Sequence, residues 1–385
     1  MTIELRPLGV LCNLKCTYCY QHPQRQAGNS GGLYDLDLMK RAAEEENGAF
    51  TLFGGEPLLL PVRDLETLWA WGCERYGKNS VQTNGTLIRD AHIALFRKYK
   101  VNVGISLDGP GELNDLRAAG SLDATRKATA RTEAAIERLC REDIAPSVIV
   151  TLHRLNSRPG RLEAMNQWFR GLDAMGVRSV RLHVLESESR AIRDAYGLSA
   201  EENIAALRNF FALETSLRQL RFDVFREMEK LLLADDEGVS CLWAACDPYT
   251  TRAVRGIEGH GQRSNCGRTG KEGIHFVKAG SPRYERQLAL YFTGQRWGGC
   301  AGCRFFLMCK GQCPGTAIDG DWRNRTEHCA VWKALFEAVE ARLLSGGKAP
   351  LSLRPEREKI EAAMVAAWSG GSNPSLHRLV EKKEC

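Results

Sequence analysis

Three cysteines fall within eight residues near the start of the chain, in the spacing C-x3-C-x2-C: Cys12, Cys16 and Cys19. Thiolates are soft ligands that suit zinc or iron–sulfur clusters. Disulfides do not explain an odd number of cysteines at so tight a spacing. Zinc prefers four protein ligands, so a lone three-cysteine loop fits it poorly. The loop predicts a four-iron cluster whose fourth iron is open to a non-protein ligand, with a structural zinc knuckle as the alternative.

The composition limits the classes of protein to which the chain can belong. It has 385 residues, of which 43% are hydrophobic and 26% charged, so it is globular and long enough for two domains. The first residues do not form a secretory signal, and no apolar run is long enough to span a membrane. Fourteen cysteines without such a signal indicate metal binding rather than disulfides, which predicts a cytoplasmic protein without a membrane partner.

The formal net charge of +6 counts every cysteine as neutral. Ligation of clusters by most of the cysteines would bring the net charge close to zero. The chain also has no block of Lys and Arg interleaved with aromatic residues, so no nucleic-acid partner is expected.

Short apolar runs alternate with helical patterns in the first half of the chain, which indicates an α/β fold with a parallel sheet. The predicted strands are 3–11, 49–53, 79–83, 101–107, 146–152 and 177–185. Between the third and the fourth, Ile88, Ala91, Leu95 and Tyr99 share one face of a predicted helix. Six such units make most of a TIM-like barrel, and a doubly wound sheet is the structural alternative, so the periodicity alone indicates a parallel α/β fold.

The carboxyl ends of the predicted strands carry glycines and polar side chains, where parallel barrels place their active sites. These residues are Gly54, Gly55, Glu56 and Pro57 after strand two, Asn84 after strand three, and Ser106 and Asp108 after strand four. The glycines permit close backbone approach, and the carboxylate suits an ammonium group. Each of these segments is also compatible with an ordinary turn.

The three-cysteine loop, with Tyr18 directly before its last cysteine, resembles the cluster loop of radical S-adenosylmethionine (SAM) enzymes. The segment from Gly54 to Pro57 resembles the GGEP motif of that family. The resemblance implies an open (β/α)6 barrel in which the free iron binds the amino and carboxylate groups of SAM. An electron from the cluster then cleaves SAM to a 5′-deoxyadenosyl radical.

The same resemblance implies which residues bind SAM. The GGEP motif is expected to hold the methionine amino group, and Ser106 is expected to contact the ribose. Asn84 is either a SAM ligand or a turn former, and Arg117 is either a SAM contact or part of a surface ion pair. Asp108, His183 and Glu186 are the candidate catalytic groups, with a structural role as the alternative for His183.

A second set of cysteines follows residue 240, and its spacing resembles the SPASM domain that often follows a radical SAM barrel. The set is Cys241, Cys246, Cys266, Cys300, Cys303, Cys309, Cys313 and Cys329. The resemblance implies two auxiliary four-iron clusters, and two zinc ribbons are the alternative. Cys246, Cys266 and Cys313 would hold the first cluster, with Cys241 as the candidate fourth ligand. The remaining four cysteines would hold the second.

The chain is therefore predicted to contain three parts and three 4Fe-4S clusters. Residues 1–234 form the barrel with connecting helices, 235–344 the SPASM domain, and 345–385 a tail with an amphipathic helix through Ile360 and Trp368. Cys73 and Cys140 fall in helical patterns and are expected to be inert, and no role is assigned to the terminal Cys385.

Relatives with both parts mostly modify peptides or proteins, so the expected reaction is a crosslink or another oxidative change in a ribosomally made peptide. Sulfatase maturation to formylglycine and redox-cofactor biosynthesis are alternatives. Sulfatase maturases have an Asp after the cysteine that matches Cys266, where this chain has Gly267. A metal-binding or electron-carrier module is the non-enzymatic alternative.

The expected partners are a peptide substrate and a flavodoxin- or ferredoxin-type electron donor. The cluster loop begins at Cys12, which leaves no room for a preceding leader-binding domain. A separate leader-peptide-binding protein is therefore expected, or else direct binding by the barrel and tail.

Overall fold

The structure is a computed structural model that describes residues 3–187, 189–251, 254–269, 279–294 and 296–381. The chain groups into two units, each discontinuous in sequence. The first comprises 2–223 and 255–276, and the second comprises 224–254 and 277–385. The two-unit grouping differs from the predicted division at residues 234 and 344, which stays a prediction.

The first unit contains a nine-stranded sheet in the order β7-β6-β5-β4-β3-β2-β1-β8-β9. The strands are β1 (Ile3–Arg6), β2 (Phe50–Leu52), β3 (Asn79–Thr83), β4 (Val101–Ser106), β5 (Ser147–Leu152), β6 (Ser179–Val184), β7 (Arg221–Phe222), β8 (Arg255–Glu258) and β9 (Arg263–Ser264). All neighbouring pairs are parallel except β8 and β9. Because β1 to β7 pair in sequence order, the sheet has no strand-order reversal of the doubly wound kind. The predicted barrel-type α/β fold is confirmed.

Helices join successive strands of the first unit. They are α1 (His22–Gln26), α2 (Leu36–Glu45), α3 (Val62–Tyr76), α4 (Asp90–Lys98), α5 (Leu122–Arg141), α6 (Arg154–Ser157), α7 (Leu162–Met175), α8 (Arg190–Tyr196) and α9 (Ala200–Glu214). The sequence of α5 shows why such helices form where they do. Its N-cap Ser121 accepts a hydrogen bond from the main-chain N–H of Ala124 (3.2 Å), and Ala128, Ala135 and Leu139 bury one face.

The second unit is helical, with cysteine-bearing turns between its helices. Its helices are α10 (Asp223–Leu232), α11 (Glu285–Phe292), α12 (Phe306–Cys309), α13 (Cys329–Ser345), α14 (Arg357–Ser369) and α15 (Leu376–Glu381). Its aromatic core includes Trp243 against Phe336 (centroids 5.5 Å apart) and Trp368 against Phe306 (5.7 Å). Trp368 lies on α14, so the predicted tail helix exists and its apolar face is buried.

None of the helices among the described residues combines the length and the apolar character needed to cross a membrane.

Candidate active site

The loop that carries Cys12, Cys16 and Cys19 is held on one side by the turn after β2. The main-chain N–H of Gly55 donates to the carbonyl of Gly9 (3.1 Å), and that of Glu56 donates to the carbonyl of Leu11 (2.8 Å). A Cβ at Gly55 would lie 1.9 Å from the Leu11 carbonyl oxygen. Only glycine therefore allows the turn after β2 to approach the cysteine loop so closely.

The other side of the loop pairs with the segment that follows β4. The main-chain N–H of Lys15 donates to the carbonyl of Ala118 (2.7 Å), and that of Thr17 donates to the carbonyl of Leu116 (2.7 Å). Since both sides of the loop are fixed by main-chain hydrogen bonds, the positions of its cysteines are set by the ends of β2 and β4.

Each loop thiol is half-buried, and all three lie close enough to influence one another. Desolvation raises the pKa of Cys16 to about 12 and also raises that of Cys12. The sulfur of Cys12 accepts from the main-chain N–H of Leu14 (3.4 Å) and lies 3.8 Å from the amide nitrogen of Asn84. Three neighbouring thiols on one fixed loop, with an N–H donor at Cys12, fit an iron–sulfur cluster, which would displace the thiol protons on binding.

Tyr18 fixes the loop from within by donating its hydroxyl hydrogen to Asp108, which is fully buried. The other Asp108 oxygen accepts from the Arg117 guanidinium (3.0 Å) and the main-chain N–H of Thr151 (2.8 Å). Burial alone would raise the pKa of Asp108, but the charge of Arg117, the neighbouring His153 (3.6 Å) and the hydrogen bond from Tyr18 hold it at about 2. Asp108 is thus an ionised anchor whose oxygens are both engaged by the protein. Arg117 forms an ion pair with Asp108, and this pair is buried rather than at the surface.

Glu56 links the GGEP turn to the end of β3. Its carboxylate accepts from the main-chain N–H of Leu58 (3.0 Å), the hydroxyl of Thr83 (2.7 Å) and the main-chain N–H of Asn84 (2.7 Å). Burial raises the pKa of Glu56, and these hydrogen bonds oppose that shift. Pro57, next in the motif, begins a short 3-10 turn. The predicted SAM contact of the motif stays a prediction, because the structure shows Glu56 bonded to protein.

Two further predicted SAM contacts lie at neighbouring strand ends. The side-chain amide of Asn84 donates to Asn13 of the cysteine loop (2.8 Å). Ser106 accepts from the side-chain amide of Gln82 (2.9 Å) and is half-buried. The structure therefore brings Asn84 to the cysteine loop. The contacts of Asn84 and Ser106 with SAM stay predictions.

The end of β6 carries a cluster that the sequence only partly predicted. The Arg268 guanidinium lies 3.0 Å from Glu186 and 3.2 Å from Nδ1 of His183. Desolvation and the charges of Arg268 and Arg181 hold the pKa of His183 well below its usual range. Because an arginine can only donate, Nδ1 of His183 accepts and the proton of the neutral ring is assigned to Nε2. Sequence reasoning missed Arg268, whose position two residues after Cys266 was the available signal.

Gly267 has no space for a side chain. A Cβ there would lie 2.9 Å from the ring of Tyr20 and 3.6 Å from the amide of Gln24. The carboxylate that sulfatase maturases carry at this position is therefore absent from a site that Tyr20 already fills.

Four cysteines of the second unit form one group: Cys300, Cys303, Cys309 and Cys329. Burial raises the pKa of Cys300 to about 12 and that of Cys309 well above its usual range, and the neighbouring thiols add to both shifts. Burial also raises the pKa of Cys329, which begins α13, and the charges of Arg325 and Lys333 oppose that shift. These are the four residues predicted to hold the second auxiliary cluster, and their mutual proximity fits such a cluster.

Among the described side chains, no three His, Cys, Asp or Glu are placed to hold a single metal ion.

The ligands predicted for the first auxiliary cluster are divided between the units. Cys241, Cys246 and Cys313 belong to the second unit, and Cys266 to the first. Cys241 is exposed, and Glu227 fixes its segment by accepting from the Ser240 main-chain N–H (3.0 Å) and the Trp243 indole (2.8 Å). This ligand set stays a prediction. Cys73 and Cys140 lie half-buried in α3 and α5, and Cys385 lies outside the described residues.

Comparison with known proteins agrees with this arrangement. Residues 7–159 match the radical SAM superfamily. The chain is 30% identical over 211 residues to the serine-type anaerobic sulfatase-maturating enzyme of Klebsiella aerogenes, which is 52% of this chain and 50% of that enzyme. The match therefore spans about half the length of that relative. A shorter match, 35% identical over 103 residues, covers 25% of this chain and 22% of the subtilosin biosynthesis protein AlbA of Bacillus subtilis.

The fold itself is similar to a solved structure described as native anSMEcpe with bound AdoMet and Cp18Cys peptide. The TM-score is 0.69 at 22% identity, over 90% of this chain and 98% of that one. The three-cysteine loop thus lies within a radical SAM domain at residues 7–159, and the chain is similar to the anaerobic sulfatase-maturating enzymes over about half of its length and in its fold.

Proposed function

We propose that the protein is a maturase that modifies a side chain of a ribosomally made peptide and leaves it crosslinked or otherwise oxidised. The observation that carries the proposal is the loop of Cys12, Cys16 and Cys19, fixed on both sides by the ends of β2 and β4. When bound, the cluster and SAM supply a 5′-deoxyadenosyl radical that takes a hydrogen atom from the substrate.

The chain's own residues hold and orient this chemistry. The three loop cysteines leave one iron open for SAM. Tyr18 and Asp108 keep the loop in place, because their hydrogen bond is buried and Asp108 stays ionised. Glu56, Asn84, Ser106 and Arg117 are the proposed SAM contacts, together with the main chain of Gly54, Gly55 and Pro57.

The second cysteine region is proposed to hold two auxiliary four-iron clusters. Cys300, Cys303, Cys309 and Cys329 supply all four ligands of one, so it offers no site to substrate. The other takes Cys241, Cys246, Cys266 and Cys313. These clusters would accept the electron that the substrate radical gives up, and a flavodoxin- or ferredoxin-type protein would supply electrons to the enzyme. The proposed compartment is the cytoplasm, where thiols stay reduced.

Two observations bear on which bond is made. The anaerobic sulfatase-maturating relative favours oxidation of a Ser or Cys to an aldehyde. Tyr20 occupies the space beside Gly267 where such enzymes carry an Asp, and this favours a different reaction. The match to a bacteriocin biosynthesis protein, over 25% of this chain, supports a peptide of the bacteriocin kind as the substrate. We place crosslinking first and aldehyde formation second. A separate leader-binding protein remains part of the first proposal.

The first experiment measures SAM cleavage. The protein is reconstituted anaerobically with iron and sulfide, its iron is counted, and 5′-deoxyadenosine is assayed after adding dithionite and SAM. About twelve irons with cleavage are expected from three four-iron clusters. A variant with Cys12, Cys16 and Cys19 changed to Ala should lose cleavage and keep about eight irons. The matched control, Cys73→Ala with Cys140→Ala, should behave as the unsubstituted protein. Loss of all iron in the triple variant would contradict the three-cluster assignment.

The second experiment separates the two reactions. Candidate peptides are incubated with the active enzyme and analysed by mass spectrometry, before and after treatment with a hydrazide. A product that has lost two hydrogens and does not react with the hydrazide supports a crosslink. A hydrazide-reactive product from a sulfatase peptide would replace crosslinking with aldehyde formation.

A further inference from the structure

Arg286, near the start of α11, is fully buried and held by main-chain carbonyls. The guanidinium donates four hydrogen bonds: from Nε to Trp322 (2.7 Å), from Nη1 to Gln312 (3.0 Å), and from Nη2 to Gly311 (2.8 Å) and Asn324 (3.2 Å). A Cβ at Gly311 would lie 3.1 Å from Nη1, so the loop there closes tightly around the cation.

No carboxylate neutralises this charge in the part of the chain that the structure describes. Asp247 lies close, but its carboxylate accepts main-chain N–H groups, including that of Arg286 itself (3.4 Å). Carbonyl oxygens solvate a cation without cancelling its charge. A buried charge without a countercharge is unfavourable, so a negative group is expected next to the guanidinium.

The groups beside the guanidinium are cysteine sulfurs, which become negatively charged thiolates when they ligate a cluster. The guanidinium interacts electrostatically with Cys246, Cys313, Cys309 and Cys300. Its geometry agrees, because Gly311 and Gln312 lie in the loop between Cys309 and Cys313. The neighbouring Gln287 donates to the carbonyl of Cys246 (3.3 Å). Arg286 therefore lies beside cysteines from both predicted auxiliary sets.

Lys310 provides a contrast within the same loop. It directly follows Cys309 and is 2% exposed, yet its ammonium group lies 2.9 Å from the carboxylate of Asp236. The charge of Lys310 is thus balanced inside the protein. The field of Arg286 reaches the sulfurs without a carboxylate partner among the described residues, and Arg325 adds a positive field at Cys300 and Cys329.

We propose that Arg286 is the shared countercharge of the two C-terminal cysteine sets and favours the reduced state of the clusters that they hold. The inference rests on the proposed function, which assigns iron–sulfur clusters to these cysteines. Reduction by one electron adds one negative charge to a cluster whose thiolates already make it anionic. A buried cation nearby lowers the free-energy cost of that charge, so it raises the reduction potential. Arg286 acts through the clusters and is a positioning residue.

The test is a redox titration of the full chain followed by electron paramagnetic resonance. All variants carry Cys12→Ala, Cys16→Ala and Cys19→Ala, so that only auxiliary clusters give a signal, and their iron is counted first. Arg286→Met and Arg286→Gln remove the charge, and Arg286→Lys keeps it. Arg342→Met is the control, because it removes a partly exposed arginine that pairs with Glu229 (3.4 Å).

The neutral variants are expected to titrate at more negative potentials, with Arg286→Lys and Arg342→Met close to the unsubstituted potential. The countercharge is also supported if both neutral variants lose their iron while Arg286→Lys keeps its iron and the reduction potential of the unsubstituted protein. Neutral variants that load iron and keep their potential would overturn it. Loss of iron from all three Arg286 variants would overturn it as well, since packing and not charge would then matter. Absence of iron before any Arg286 change would instead refute the auxiliary clusters of the proposed function.

Discussion

Gly55→Ala is expected to displace the cysteine loop, although it adds a single methyl group. The new Cβ would lie 1.9 Å from the Leu11 carbonyl oxygen, so the loop must move by about 1.5 Å to restore an ordinary contact. That movement breaks the hydrogen bonds from Gly55 to Gly9 and from Glu56 to Leu11. Two such bonds and the remaining strain amount to about 3 kcal/mol.

The assay for Gly55→Ala is iron content together with 5′-deoxyadenosine formation. The variant should lose the iron of the N-terminal loop and SAM cleavage, while its auxiliary iron remains. Gly171→Ala is the matched control, because nothing lies within 4 Å of its Cβ and it sits inside α7. The control should be slightly more stable, by about 0.5–1 kcal/mol. Unchanged iron and cleavage in Gly55→Ala would refute the proposed coupling between the β2 turn and the loop.

Two other substitutions test the environment of the loop. The pKa of Asp108 is held at about 2, below its unfolded value of about 3.9, so its contribution to stability is present above pH 4 and lost as the pH falls towards 2. Asp108→Asn should therefore remove about 2 kcal/mol at neutral pH and flatten the acid limb of the unfolding curve, and an unchanged limb would contradict the ionised anchor. Gly267→Asp should lower the thermal unfolding temperature because of the ring of Tyr20, and adding Tyr20→Ala should restore it. Equal unfolding temperatures for Gly267→Asp and the unsubstituted protein would show that this space is not filled.

The six main strands could be predicted because short stretches with apolar residues, alternating with polar ones in β3 and β6, are separated by helical patterns. Three short strands were not predicted. Of these, β7 and β9 have only two residues each, and β8 begins with Arg255 and ends with Glu258. The helix before β4 was predicted, but its apolar face was partly wrong. The predicted stripe included Ala91, which is exposed, and left out Phe96, which is buried.

The cysteines of the site could be recognised from sequence because thiol chemistry and close spacing make them distinctive. Their surroundings could not be recognised in this way. Arg268 and Arg286 are two of 53 Lys and Arg residues. Arg268 is distinguished in the local sequence only by its position two residues after Cys266, and nothing in the local sequence distinguishes Arg286. Their importance arises from contacts with residues distant in the chain, such as His183 for Arg268 and Asn324 for Arg286.

A buried arginine lies beside each of the two cysteine regions, but its charge is balanced differently in the two. This difference agrees with the function proposed for each region. Beside the N-terminal loop, Arg117 lies near Cys16, but its charge is balanced by Asp108 at 3.0 Å. This pair can anchor Tyr18 without adding a net charge to the site where SAM must bind. In the second unit, the Arg286 guanidinium interacts electrostatically with four cysteines and donates its hydrogen bonds to main-chain carbonyl oxygens. A net positive charge is useful there, because clusters that accept an electron from a substrate radical gain negative charge in doing so. Among the described residues, Arg117 has a carboxylate beside it and the Arg286 guanidinium has none, which suits the proposed SAM site and the proposed electron-accepting site, respectively.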